Sequence, residues 1–311
     1  MLSKMKYWLM ELGAYFLIYS GIAHLYLTRR IARGEVTAFF LHDPKKEVFE
    51  KIILKARAWG FEFINDQQLI DYLNGKEIAN KRFMHLSVDD GWRNNLKTVA
   101  PFAEAHNIPI TYFISTEPME SGDFWWNKVP DFATAARLRA MPNAGRMEYL
   151  RQLSEAAPQT ERTAMTPDEV KALSGMRHAT IGNHTHNHPM FSHCSDQEME
   201  YELTEAHLQL QRLIEKPVTS FAYPCGAVNG YEQEVLRRLG YQVAYSTDPR
   251  GVRKDEPNRF DIPRFEDNNR GGPAENFCRM IGLWETIYHW LRLRYKGIKR
   301  LPVLGVILQR S

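Results

Sequence analysis

Between Val36 and Tyr245, short apolar runs rich in β-branched and aromatic residues alternate with longer amphipathic stretches, and this alternation constrains the chain more than any other feature. It is the pattern of parallel strands joined by crossover helices, an α/β chain. Strands are expected at Val36–Leu41, Phe61–Ile64, Phe83–Val88, Ile110–Ile114, Ala179–Ile181, Val218–Ala222 and Gln242–Tyr245. Helices are expected over Lys45–Trp59, near Gln67–Leu73 and over Asn94–Ala105. Two capping boxes, Thr166 with Glu169 and Ser195 with Glu198, mark later helix starts, because each hydroxyl and each carboxylate can satisfy an orphan amide. Residues 116–165, which include FWWNKVPDF, interrupt the alternation and read as an insertion over one end of the barrel.

A chain of 311 residues fits one catalytic α/β domain with extensions. The expected organisation is an N-terminal apolar helix within 1–35, packed or membrane-directed, a catalytic domain over 36–270, and a basic amphipathic tail over 271–311. Three cysteines with no C-x-x-C spacing give neither a disulfide framework nor a thiolate metal site, and point to a reducing compartment. The net charge is +3, but residues 279–311 alone carry seven Lys or Arg against one Glu. Basicity confined to a tail argues against a nucleic-acid-binding core, which needs positive charge along its own groove.

The apolar stretch Tyr7–Leu27 is long enough to cross a bilayer, yet Glu11 and His24 interrupt it. Gly13, Ser20, His24 and Thr28 fall on one helical stripe, so a helix lying in the interface or packed on the domain competes with a span. Near the other terminus, Met280, Trp284, Ile287, Tyr288, Leu291, Tyr295 and Ile298 recur at helical spacing beside Arg292, Arg294, Lys296, Lys299 and Arg300. That mix fits an interfacial helix as well as a terminal helix packed on the barrel. Two weak anchors hold better than one, so the expectation is a cytoplasmic protein attached peripherally to the inner membrane through its termini. Oligomeric state is not legible.

Active sites of α/β barrels lie at the carboxyl ends of the strands. Three such positions stand out. The first is His85-Leu86-Ser87-Val88-Asp89-Asp90-Gly91-Trp92, where adjacent carboxylates oppose joint ionisation and call for a cation or shared proton. The second, Ile181-Gly182-Asn183-His184-Thr185-His186-Asn187-His188, places three histidines after a strand, and an H-x3-H pair can converge on one ion. Alone, each also suits a solvated turn. Together, Asp90, His184 and His188 supply two nitrogens and one oxygen, the three-ligand set of an open catalytic metal site. His186 alternates with these ligands and faces solvent in this reading. The third position, Phe221-Ala222-Tyr223-Pro224-Cys225-Gly226, is a turn that can aim backbone amides at a ligand.

The ordered motifs D-D-G, H-T-x-x-H and Y-P-x-G resemble those of the polysaccharide deacetylases, carbohydrate esterase family 4, over about residues 36–270. The resemblance implies a distorted (β/α) barrel and removal of acetyl groups from an acetylated glycan or sugar precursor. It further implies Asp89 as catalytic base, Asp90, His184 and His188 as metal ligands, and the Cys225 amide as oxyanion donor. The expected cofactor is one divalent ion, zinc by default, with cobalt or nickel as alternatives.

Two departures matter. Ala222 stands where the family often has an arginine that orients the base, and Arg264, in Ile262-Pro263-Arg264-Phe265, is a possible substitute or a surface arginine. The family's late Leu-x-His motif, the source of its general acid, is missing after Arg264. One branch with rearranged motif order has a histidine at the end of its first strand, where this chain has His42. His42 is therefore the expected general acid. Trp125 and Trp126, with Trp92 and Tyr223 beside the motifs, are candidate sugar contacts, although the tryptophans suit anchors of the insertion equally well. Deacylation or deformylation of a lipid-linked sugar, and glycan binding without catalysis, remain alternative functions on the same fold.

Overall fold

A computed structural model of the chain describes residues 2–76, 82–154 and 161–294. Helices α1 (Leu2–Tyr19) and α2 (Ile22–Ala32) precede the first strand. Then follow β1 (Thr37–Leu41), α3 (Lys46–Ala58), β2 (Phe61–Ile64), α4 (Asp66–Leu73), β3 (Arg82–Val88), α5 (Ala100–Ala105) and β4 (Ile110–Ile114). The insertion contributes α6 (Thr116–Ser121), α7 (Phe132–Arg139) and α8 (Asn143–Ser154). After it come α9 (Pro167–Ser174), β5 (Ala179–Asn183), α10 (Asp196–Ile214), β6 (Ser220–Ala222), α11 (Tyr231–Arg238), β7 (Val243–Tyr245), β8 (Phe265–Glu266), α12 (Pro273–Met280) and α13 (Leu283–Arg294).

The strands form one parallel sheet in the order β7-β6-β5-β4-β3-β1-β8, with β2 pairing the first half of β3. The sheet curls into a distorted (β/α) barrel. Its seam is crossed by residues 259–266, which hydrogen-bond first to β7, through Ala244 N to Arg259 O (2.9 Å) and Ser246 N to Ile262 O (2.8 Å), and then pair with β1. Strands β1 and β4 are buried along their whole length, as expected of strands covered on both faces. Their register brings Leu41 level with Val88, and Ile114 level with Asn183, so the residues that follow β3 and β5 leave the barrel at one end. Both sequence-marked capping boxes form, at Thr166 and Ser195.

The apolar stretch near the N-terminus is not one continuous helix. The chain breaks at Ser20–Gly21, where Gly21 has φ 83°, a left-handed conformation that glycine adopts without steric cost. Among the described residues no helix is long and apolar enough to cross a membrane. Ala14, Ile18, Ala23 and Leu27 face the body, while Ser20, His24 and Thr28 of the expected stripe are exposed. Glu11, an acid inside an apolar helix, has a clear purpose. Its two carboxylate oxygens accept from the amides of Ala274 and Glu275 at 2.9 Å each, satisfying orphan donors at the start of α12. Gly272 is required there, since a Cβ would lie 2.3 Å from that carboxylate. Buried Arg30 secures α2 through Glu35 and the Ile281 carbonyl, both at 2.7 Å.

Within the C-terminal stripe, Met280 and Trp284 are buried and Ile287 and Tyr288 pack against the main core. The stripe is therefore turned toward the body from Met280 to Tyr288, while Leu291 is half-buried and outside that core. Tyr295, Lys296, Ile298, Lys299 and Arg300 lie outside the described residues.

Candidate active site

Asp90, His184 and His188 converge at the carboxyl ends of β3 and β5, all three buried, with their ligand atoms within 4.8 Å of one another. Asp90 Oδ1 lies 3.4 Å from His184 Nε2 and 3.2 Å from His188 Nε2. The Nδ1 of His184 faces the Ala222 carbonyl at 2.8 Å. A carbonyl only accepts, so the proton sits on Nδ1 and Nε2 presents a lone pair to the centre of the triad. The second Asp90 oxygen accepts from Trp92 Nε1 at 2.9 Å, while Oδ1 is buried with no hydrogen-bond partner. An orphaned carboxylate oxygen facing imidazole lone pairs is unfavourable unless a cation sits among them. The donor set, two nitrogens and one oxygen, fits a divalent transition ion with further coordination positions open.

Protonation fits as well. Burial lowers His188 to about 4, so its imidazole is neutral at physiological pH.

Backbone conformation is concentrated at this place. Six described non-glycine residues have left-handed φ, and four of them, Asp90, Thr185, His188 and Cys225, belong to the motifs that meet here. Such conformations persist only where the surroundings over-determine them. The histidine loop is tied down accordingly. Thr185 N donates to Asn183 Oδ1 (2.7 Å), His188 N donates to Thr185 Oγ1 (3.0 Å), and buried Glu202 accepts from Asn187 N and Nδ2 (2.6 and 3.0 Å). From the insertion, buried Arg146 donates to the carbonyls of Asn187 and His188 at 3.1 and 3.2 Å. Nothing in the sequence around Arg146 pointed to this role. His186 bonds Thr116 at 2.8 Å and rests edge-on to Tyr201; half-buried, it is outside the triad.

Asp89 points to the opposite side of its strand end from Asp90, into the barrel. Arg264 grips both of its oxygens, Nη1 to Oδ1 at 2.9 Å and Nη2 to Oδ2 at 2.8 Å. The guanidinium also donates to Ser87 Oγ (2.9 Å) and to the Ser246 carbonyl (3.0 Å). Its carbon lies 4.1 Å from the Phe40 ring centroid and 5.6 Å from those of Phe113 and Tyr245. Arg264 is the largest fully buried side chain among the described residues, so the surface reading is excluded and the place left by Ala222 is filled from the barrel seam. One layer deeper, Asp66 accepts from Tyr245 OH (2.6 Å) and Thr111 Oγ1 (3.0 Å) and meets His85 Nε2 at 2.7 Å, a buried polar layer under the site that the sequence did not announce.

His42 ends β1 and is half-buried. Burial would lower its pKa, but the carboxylates of Asp90, Glu266, Asp89 and Asp267 together outweigh burial and raise it. A cation held by the triad would offset the Asp90 part of that effect. Asp267 itself is pushed up to about 7 by burial.

Cys225 is exposed, in a left-handed turn with φ 54°, and lines a small pocket with His188, Trp125, Arg139, Arg146 and His193. The insertion forms the far wall. Trp126 meets the His188 ring edge-on at 4.7 Å and stacks on Phe124 at 4.9 Å, while Trp92 lies 4.2 Å from Phe124. Trp92 and Trp126 are half-buried; Trp125 is buried among Val129, Ala135 and Leu138 and anchors the insertion, lining the site only at that pocket. Tyr223 requires correction. It is fully buried among Phe191, Phe221 and neighbouring core residues, with its hydroxyl donating to the Phe260 carbonyl at 2.8 Å, so its side chain is a core element and not a sugar contact.

The description "polysaccharide deacetylase" belongs to the family model that matches residues 76–244. That segment contains Asp89, Asp90, His184, His188 and Cys225, whereas His42 and Arg264 lie beyond its ends. No curated protein matches by sequence. Among solved structures, the chain is similar to the deacetylase PplD of Streptococcus pyogenes in complex with acetate, at 15% identity over 79% of this chain and 98% of that one, with a TM-score of 0.60. IcaB from Ammonifex degensii follows at 14% identity, 80% and 97% coverage and a TM-score of 0.58. The deacetylase domain of BpsB from Bordetella bronchiseptica gives 15% identity, 74% and 95% coverage and a TM-score of 0.56. Identities this low speak for a shared fold alone. The family model spans more than half of the chain, and on that ground the chain belongs to the polysaccharide deacetylase family, hydrolases that act on acetylated carbohydrates.

Proposed function

We propose that the protein is a metal-dependent hydrolase that removes acetyl groups from N- or O-acetylated sugars of a polysaccharide or glycan precursor. The observation that carries the reading is the pair of adjacent aspartates with divided duties. Asp90 completes a buried, cation-seeking triad, and Asp89 is fixed by a desolvated bidentate arginine. A divalent ion on the triad, when bound, supplies Lewis-acid polarisation of the acyl oxygen. Zinc suits the donor set, and cobalt or nickel would suit it too.

The chain's own residues do the rest. Asp89, oriented by Arg264, takes a proton from the attacking water as its oxygen adds to the acyl carbon. The Cys225 amide, presented by the left-handed turn, donates to the oxyanion. As the carbon–nitrogen or carbon–oxygen bond breaks, His42 gives its proton to the departing amine or alcohol and acetate is left. The excess of carboxylates around His42 favours the protonated form that this step requires. Trp92 and Trp126 offer ring faces to the sugar. Glycan binding without catalysis leaves the buried grip on Asp89 without a purpose.

Acid catalysis is most needed where the leaving group is poor. His42→Ala is expected to slow release of acetate from an N-acetylated sugar about a hundredfold or more, and to affect an aryl acetate far less. Equal losses on both substrates would remove His42 from the acid role. Assays across N-acetylated, O-acetylated and N-formylated sugars, with acetate and formate quantified separately, test the function itself. Acetate from at least one sugar class is expected; formate alone from formylated sugars would make the protein a deformylase.

A further inference from the structure

Among the described residues, the outer face of α1 and the start of α2 holds most of the large apolar side chains left exposed. Met5, Trp8, Leu9, Leu12, Tyr15, Phe16, Tyr19, Ile22 and Leu25 are all exposed, Trp8 at 60%, Phe16 at 67% and Tyr19 at 77%. They recur every three or four residues and form one continuous ridge, while the opposite side of the same helices is packed on the body through Ala14, Ile18, Ala23 and Leu27. Isolated exposed apolar side chains are ordinary, but nine in one ridge mark a surface that meets a nonaqueous partner.

Charge identifies that partner. Residues 1–33 contain five Lys or Arg and one acid, Glu11. Glu11 is turned inward and its carboxylate is consumed by the amides of Ala274 and Glu275, so no acidic side chain lies on the exposed face. Arg29 of α2 and Arg33 just after it are exposed where the apolar ridge ends, and Lys55 of α3 lies 5.8 Å over the ring of Tyr19 at its flank. A ridge of aromatic and aliphatic side chains with Lys55 at its flank and Arg29 and Arg33 at its end has the form of a helix lying in the boundary between headgroups and acyl chains. Anionic headgroups complement its rim, each nearby cation adding a salt-sensitive share of the attraction.

We propose that this ridge docks the protein in-plane on an anionic lipid bilayer, with α1 lying in the interface while its inner side stays packed on α12. From Met280 to Tyr288 the C-terminal apolar stripe is not the anchor, because it is spent on the body. The inference is independent of the acetyl chemistry.

The test uses the full chain and flotation with vesicles of zwitterionic phosphatidylcholine, or of phosphatidylcholine with 30% phosphatidylglycerol, at about 0.1 M salt, where charge attraction still operates over about 10 Å. The wild type is expected to float with the anionic vesicles, and L12E/F16E to bind at least tenfold less. Both positions are exposed, so the variant's melting temperature and its acetate release from soluble substrate should match wild type. Wild-type protein that stays in the lipid-free fraction with both vesicles, or a variant that floats equally well, overturns the proposal. So does a lipid-free wild-type dimer in sedimentation velocity that L12E/F16E converts to monomer, since a second copy would then be the occupant of the ridge.

Discussion

Replacing Asp89 by asparagine is expected to reduce acetate release by about a hundredfold to ten-thousandfold, the usual contribution of a positioned general base. The change keeps the shape of the side chain but leaves buried Arg264 without its counter-charge and one of its donors facing an amide NH2, so some stability is lost as well, and turnover is compared at a temperature where the variant is shown to be folded. Binding of the ion should survive, because the triad draws its oxygen from Asp90. Steady-state kinetics with metal analysis on the same preparation separate these effects. Turnover within a few-fold of wild type would show that another group deprotonates the water.

Arg264→Met is the other substitution with a large expected effect, and it acts on stability. The guanidinium is buried, sandwiched by Phe40 and neighbouring rings, and is the only cation touching Asp89 among the described contacts. Methionine fills much of the space but leaves a buried carboxylate alone. Removing one partner of a buried pair typically costs about 3–5 kcal/mol. Urea denaturation should report a loss in that range, with activity falling in parallel as Asp89 loses its orientation. Arg264→Met combined with Asp89→Asn should recover part of the lost stability, because the neutral amide no longer needs a counter-charge. A single variant within about 1 kcal/mol of wild type would show that the ion pair is solvated or replaceable, a range ordinary for exposed pairs.

Much of the barrel was legible because its strands are near-continuous apolar runs. β2 and β4 fall where the sequence placed them, and β1 and β3 differ by one residue at their starts. The triad was legible because its three ligands come from two motifs, each local in sequence. What escaped shares a physical reason: it depends on partners distant along the chain or on which strand face turns inward. Arg264 meets Asp89 across 175 residues, and only the seam of the barrel makes it an orienting residue. Tyr223 sits in a strand end apolar on both sides, where the alternation that would separate core from site is lost. Glu11 looked like a polar defect in an apolar helix until α12 supplied two amides for it. The helix expected from Asn94 begins with a π-helical turn over Asn95–Val99, a departure that short-range spacing does not encode. The ridge on α1 was visible as an apolar stretch, but its two-sided character required the packing to be known.

The account turns on whether the acid of one strand end and the two histidines of another hold an ion that turnover needs. The direct measurement is metal content and acetate release on one sample of the full chain, taken before chelation, after it, and after zinc, cobalt or nickel is restored. About one ion per chain is expected, with turnover lost on removal and regained on restoration, and with His184→Ala unable to recover either. Acetate release that continues undiminished in protein shown to hold no metal would contradict it.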